Sequence, residues 1–231
     1  MKYAFFDLDG TLIPVDSSIL WARTLLSHVN PKDRDALVAE RAQYDEDYKN
    51  GCLDINKLED FESRLLARFP RKELDALREE YMKKDIIPFI MPIAVDLVEQ
   101  YRRLGATVVM VTASFRYPVE PIAQIFDLRD VLCAESEMKP NGEFTGRWLK
   151  QNFSKQKIVS VMDFIEARGG NKKDLEESVF FSDSFNDFPL LEFVVEHGGK
   201  AVATNPDERL RAAALRRQWE VLELFKEHRL F

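Results

Sequence analysis

Cysteine and histidine are scarce in this 231-residue chain. Cys52 and Cys133 are its only thiols, and His28, His197 and His228 its only imidazoles. Two lone cysteines supply neither a disulfide framework nor a Cys-x-x-Cys metal knuckle, so zinc is not expected. Three scattered histidines leave little material for His-based catalysis. Positive charge is not in excess either: 33 Lys and Arg against 40 Asp and Glu give a net charge of −7, which argues against a nucleic-acid partner. Long apolar runs are missing as well. The longest, from Ile86 to Val95, is interrupted by Pro88 and Pro92 and falls short of the ~18–20 residues that span a bilayer. No membrane partner is therefore expected. The run Tyr3–Phe6 is too short for the apolar region of a signal peptide, so a cytoplasmic location is expected.

What is present is an ordinary globular composition, 45% hydrophobic with 17 phenylalanines, enough for a sizeable core. Tyr3–Leu8 reads as a strand covered on both faces, because it is nearly continuously apolar instead of alternating. Similar runs recur at Thr107–Thr112, Val131–Ala134, Val179–Ser182 and Lys200–Ala203. Helical periodicity separates them at Ile93–Leu104, Ser154–Ala167, Phe188–Val195 and Pro206–Leu215. This alternation predicts an α/β fold, a Rossmann-like parallel sheet with helices on both faces. Between Glu137 and Trp148, Asn141-Gly142 predicts a small hairpin with a type I′ turn. The Arg- and Glu-rich stretch Arg209–Arg229 reads as a solvated helix face.

One segment breaks the rhythm. From Asp16 to Pro88 the chain holds amphipathic helical patterns at Lys32–Tyr48, Asn56–Phe69 and Arg71–Lys84 and no convincing strand. We read residues 1–15 and 89–231 as the core and 16–88 as an inserted helical domain, hinged at Pro14 and Pro88.

In open α/β sheets ligands bind outside the carboxyl ends of the strands. Four such places here carry reactive groups: Asp7, Asp9, Gly10 and Thr11 after the first strand, Thr112 and Ser114 after the second, Lys155 and Lys157 opening a helix, and Asp183, Asn186 and Asp187 after Val179–Ser182. Each has a bland reading taken singly, as a turn, a helix cap or a solvated lysine. Their ordered occurrence at strand ends argues for one convergent site.

The set DLDGT, Thr112, Lys157 and Asp183…Asp187 resembles the four motifs of the haloacid dehalogenase-like phosphatase superfamily. The closing DSFND and the helical insertion, a type 1 cap, are most similar to its phosphoserine-phosphatase-like branch, which includes bacterial histidinol-phosphate phosphatases. The resemblance implies a phosphomonoesterase acting on a small phosphorylated metabolite through an aspartyl-phosphate. Asp7 would be the nucleophile and Asp9 the acid and base. Asp9 must then be protonated at the first step, which requires a pKa raised by burial or by neighbouring negative charge. Thr112 and Lys157 would hold the phosphate. Asp7, Asp9 (through its carbonyl) and Asp183 would hold Mg²⁺, and Asp187 would support Lys157 or a metal-bound water. Asp16, Ser114 and Asn186 are the expected substrate contacts. Asp16 also reads as the N-cap of a helix starting at Ser17. Where the branch usually has glycine three residues before the lysine, this chain has Ser154, which leaves Lys155 as a competitor of Lys157. An acid at position 16 suits an amino-alcohol phosphate such as histidinol phosphate or phosphoserine, and Thr112-Ala113-Ser114 departs from the SGG usual in phosphoserine phosphatases. A dehalogenase would not need Asp9, a serine hydrolase would need GxSxG and a paired histidine, and a non-catalytic phosphate binder would be expected to have lost Asp7, Asp9 or Asp183.

Overall fold

The computed structural model describes residues 1–225. His228 and the end of the Arg209–Arg229 stretch lie outside the described residues.

Seven strands form one sheet in the order β4-β3-β2-β1-β5-β6-β7: β1 (Tyr3–Phe6), β2 (Thr107–Phe115), β3 (Asp130–Met138), β4 (Phe144–Lys150), β5 (Ser178–Ser182), β6 (Lys200–Thr204) and β7 (Glu220–Leu222). All neighbours run parallel except β4, which is antiparallel to β3. The expected Rossmann-like α/β core is therefore what the chain forms. Consecutive residues of β1 explain the unbroken apolar run. Phe6 packs on one side of the sheet with Met110, Phe181 and Val98, while Phe5 packs on the other with Val109, Phe180 and Ile165. A strand buried on both faces needs no alternation.

Helices α5 (Pro92–Arg103), α6 (Arg116–Ile125), α7 (Lys155–Glu166), α8 (Phe188–Glu196) and α9 (Glu208–Arg217) accompany the strands. Four others precede β2: α1 (Ser17–His28), α2 (Pro31–Lys49), α3 (Ile55–Leu66) and α4 (Arg71–Tyr81). Asp16, Asn30 and Asp54 cap the first three through their side chains, accepting from Ile19, Lys32 and Asn56 N–H groups, and each cap satisfies one orphan donor of a first helical turn. The buried faces of this group, among them Trp21, Leu25, Phe61, Leu65 and Tyr81, continue the same apolar cluster as Phe6 and Phe181.

Two local expectations are corrected. The β3–β4 connection is not a two-residue type I′ turn. Lys139 N donates to Glu143 O at 2.8 Å and Gly142 N to Lys139 O at 2.9 Å, so Pro140 and Asn141 occupy the turn centre and Gly142, at φ +85°, follows in the left-handed position. Pro140 cannot take positive φ and suits the first central position of an ordinary turn. At the C-terminus the helix does not run on. Gln218 at φ +58° ends α9, and β7 then pairs with β6.

Candidate active site

The order of strands reverses about β1, with β2 on one side and β5 on the other. That switch point is where loops diverge and leave a crevice. Asp7 extends the ladder by one bond, its N–H donating to Phe181 O at 2.9 Å. The chain then turns tightly, with Leu8 O accepting from Leu12 N at 2.8 Å and Thr11 N at 3.2 Å. Gly10 is required in this turn: it sits at φ +72°, and a Cβ there would lie 2.1 Å from Asp183 Oδ2. The absence of a side chain lets the β1 loop touch the carboxylate that follows β5.

Lys157 joins the two halves. Its ammonium donates to Asp7 Oδ1 at 2.8 Å and to Asp187 Oδ2 at 2.6 Å, and its residue is 2% exposed. Lys155, two residues earlier on α7, is exposed. Asp187 also accepts from Ser182 Oγ at 2.8 Å, and Thr11 Oγ1 donates to Asp7 Oδ2 at 3.3 Å. Burial alone would depress the Lys157 pKa, but the flanking Asp187 and Asp7 carboxylates outweigh it and hold the ammonium above its ordinary range. Burial pushes Asp7 up to about 6 against the pull of Lys157, with Asp187 adding to the rise.

Asp9 faces away from Lys157. Its carboxylate accepts from Ser17 N at 2.7 Å and Ser114 Oγ at 3.0 Å. Burial, then the charges of Asp16 and Asp7, push it up to about 8. Ser114, expected to contact substrate, donates to Asp9 and lies 3.3 Å from Ser17 Oγ. Thr112 Oγ1 accepts from Ser114 N at 3.1 Å, which leaves its own proton available to another acceptor. Both residues lie where the β2–β3 register shifts between Val111 and Phe115, an irregularity of the kind that re-aims side chains beside sites.

Asp183 accepts no side-chain hydrogen bond from the described residues. Burial first, then the charges of Asp7, Asp187, Asp9 and Asp207, raise its pKa well above the ordinary range. The adjacent Ser184 Oγ lies 3.1 Å from the Tyr48 hydroxyl of α2. Asn186 opens the next turn, its N–H donating to Ser184 Oγ. Asp16 caps α1 as expected, accepting from Ile19 N at 2.8 Å, and burial raises its pKa.

Supporting residues escaped the sequence reading. Asn152 donates at 2.8 Å to both Thr112 O and Leu132 O. Asn205 donates to Gly10 O at 2.8 Å and accepts from Leu224 and Phe225 N–H groups. Its place before Pro206 at the end of the Lys200–Ala203 run was the available signal, since asparagine tolerates the left-handed backbone it adopts, φ +47°.

Among the described residues no group of three or more His, Cys, Asp or Glu side chains forms a ready metal cage. The donor set is instead two carboxylates, Asp7 and Asp183, beside the backbone of the DLDGT loop. With Asp9 and Asp187 the site holds four carboxylates against the one ammonium of Lys157, which contacts only Asp7 and Asp187, and Asp183 lacks a side-chain donor among the described residues. That surplus of negative charge on hard oxygen atoms fits Mg²⁺, which takes one or two carboxylates and retains waters.

A match to the haloacid dehalogenase-like hydrolases spans residues 4–192. The chain belongs to this family. A histidinol-phosphatase of Neisseria meningitidis is 32% identical over 220 residues, covering 95% of this chain and 97% of that protein. A phosphoserine phosphatase of Mycobacterium tuberculosis is 30% identical, covering 94% of this chain and 69% of its own length. The crystal structure of a protein of unknown function from Bordetella pertussis Tohama I superposes with TM-score 0.88 at 34% identity, over 97% of this chain and 99% of that one. A substrate-bound phosphoserine phosphatase shares the fold, with TM-score 0.66 at 17% identity. Family membership and these phosphatase-named relatives support a phosphatase among the haloacid dehalogenase-like hydrolases.

Proposed function

We propose that this hydrolase is a Mg²⁺-dependent phosphomonoesterase working through an aspartyl-phosphate on Asp7, with histidinol phosphate as its best substrate. The observation that carries the reading is the Lys157 ammonium shared between Asp7 and Asp187, beside the undonated carboxylate of Asp183. An Asp7 oxygen attacks phosphorus as the bond to the leaving oxygen breaks, and Asp9 gives that oxygen its proton. The resulting Asp9 carboxylate then takes a proton from the water that attacks phosphorus, which releases phosphate and frees Asp7. This splits one difficult displacement into two. Lys157 and the Thr112 hydroxyl hold phosphate oxygens, Ser114 and Ser17 orient Asp9, and Asp187 with Ser182 orients Lys157. Mg²⁺, held by Asp7, Asp183 and the Asp9 carbonyl, supplies charge neutralisation for a polyanionic substrate. Residues 16–88 act as a cap that closes over the substrate, with Tyr48 and Asn186 at the seam. Histidinol phosphate is favoured by the name of the Neisseria relative and by the acid at position 16. The Mycobacterium relative supports phosphoserine as the second reading.

The test is phosphate release from histidinol phosphate, phosphoserine and sugar phosphates, with and without Mg²⁺. Histidinol phosphate should be turned over fastest, and chelation should abolish release. Asp7→Asn and Lys157→Ala should each lower kcat by about 10³-fold or more, and Lys155→Ala should leave it near wild type. Equal release by Asp7→Asn removes the nucleophile assignment, and inertness toward every compound removes the function.

A further inference from the structure

Arg41, Asp45 and Tyr48 recur along one face of α2, and the Tyr48 hydroxyl lies 3.1 Å from Ser184 Oγ beside Asp183, so this face of the helix borders the site. Arg41 of α2 is buried, 7% exposed. One of its terminal nitrogens, Nη1, is in close contact with Asp45. The other, Nη2, reaches Ser18 Oγ at 3.2 Å and lies 3.9 Å from Glu62 Oε1. Ser18 Oγ in turn donates to Glu62 at 2.7 Å. Only Nε, also buried, has no partner among the described residues. Asp16 adds a third carboxylate, whose charge reaches both Arg41 and Asp9. A small, mostly apolar cavity of about 10 Å³, lined by Trp21, Leu25 and Phe115 among others, also touches Ser18, Glu62 and Ser114. Ser114 is bonded to Asp9, so the wall adjoins the residue that protonates the leaving oxygen.

Recognising a substrate carboxylate well requires two parallel N–H donors from one guanidinium edge. Asp45 engages Nη1, and Ser18, itself bonded to Glu62, engages Nη2, so both terminal nitrogens are already committed to the protein and only the single Nε–H is unpartnered among the described residues. Three carboxylates against one guanidinium also leave the wall negative. Resting on the phosphatase reading, we infer that Glu62 and Asp45 set substrate specificity by sequestering Arg41, so that the site takes phosphate esters of cationic amino alcohols and rejects the corresponding phosphorylated amino acids. Rejection arises from a built repulsion as much as from attraction to the ammonium.

Phosphoethanolamine and phosphoserine differ only in the carboxylate, and ethyl phosphate lacks the amine as well. For the wild-type protein with Mg²⁺, kcat/KM for phosphoethanolamine should exceed that for each of the other two by about tenfold or more, since like-charge juxtaposition is costly. In Glu62→Gln and in Asp45→Asn, the ratio of phosphoserine to phosphoethanolamine should rise about tenfold, through a lower KM for phosphoserine as Arg41 is released. Loss of packing alone would slow both substrates together and leave the ratio unchanged. Wild type using phosphoserine as well as phosphoethanolamine, or a ratio unmoved in both variants, overturns the inference while phosphatase activity stands. No phosphate release from any compound, histidinol phosphate included, overturns the phosphatase reading and this inference with it.

Discussion

Ser154 holds its backbone at φ +50° and ψ −121°, a region that glycine enters freely and other residues enter under strain. The family resemblance places glycine at this position, three residues before the lysine, and the geometry explains why: the chain must reverse sharply to aim the first turn of α7 at Asp7. The serine hydroxyl makes no capping bond that would compensate. Ser154→Gly should therefore raise unfolding free energy by about 1 kcal/mol, after subtraction of glycine's larger unfolded-state entropy. Urea denaturation would check this, and an unchanged or lower midpoint would contradict it. The same departure made Lys155 and Lys157 competitors in the sequence. Helix direction separates them in the fold, turning position 157 to the buried carboxylates and position 155 to solvent.

At the scale of elements, the β3–β4 hairpin binds the inserted helices to the sheet. Pro70 precedes α4 without providing a side-chain cap, and Glu143 supplies one from across the fold, its two oxygens accepting from Arg71 N at 3.2 and 3.1 Å. Trp148 Nε1 donates to Asp60 of α3 at 2.8 Å. A carboxylate at a helix N-terminus satisfies an orphan donor and complements the helix dipole. Glu143→Ala should cost about 1 kcal/mol and speed amide exchange in the first turn of α4 more than in α5. Uniform protection in both helices would refute the capping role. Asn141-Gly142 announced a hairpin correctly, and Pro140 beside it was the local signal for an ordinary turn; the attachment to α4 was not readable, because it depends on a residue 72 positions from Arg71.

For the whole molecule, the net acidity has one buried consequence outside the site. Glu59 of α3 is 2% exposed, and neither carboxylate oxygen has a hydrogen-bond partner among the described residues. The nearby Gln151 amide donates to Asn56 at 2.7 Å and only partly offsets the effect of burial on Glu59. Burial pushes Glu59 up to about 8 from 4.5. Because the folded form binds this proton more tightly than the unfolded form, its contribution favours folding below about pH 4.5 and is lost as pH rises through about 8. Glu59→Gln should melt higher than wild type at pH 8, by about 2–4 °C for each kcal/mol gained, and the gap should close toward pH 5. A difference independent of pH would show that the carboxylate is ionised at no cost.

The core and the residues that meet at the candidate site were legible in the primary structure because each rests on local chemistry. Double-sided burial writes itself as unbroken apolar runs such as Tyr3–Phe6, and DLDGT, Lys157 and Asp183…Asp187 carry their functional groups wherever the chain takes them. Long-range placement was not legible. That Ser114 serves Asp9, that Asn152 and Asn205 brace the loops, that β7 completes the sheet, and that Asp45 and Glu62 engage Arg41 are facts about groups distant in the chain. Only the packing of β1 between β2 and β5, with the inserted helices laid against them, brings those polar groups within hydrogen-bonding or charge range and settles which partner each one finds.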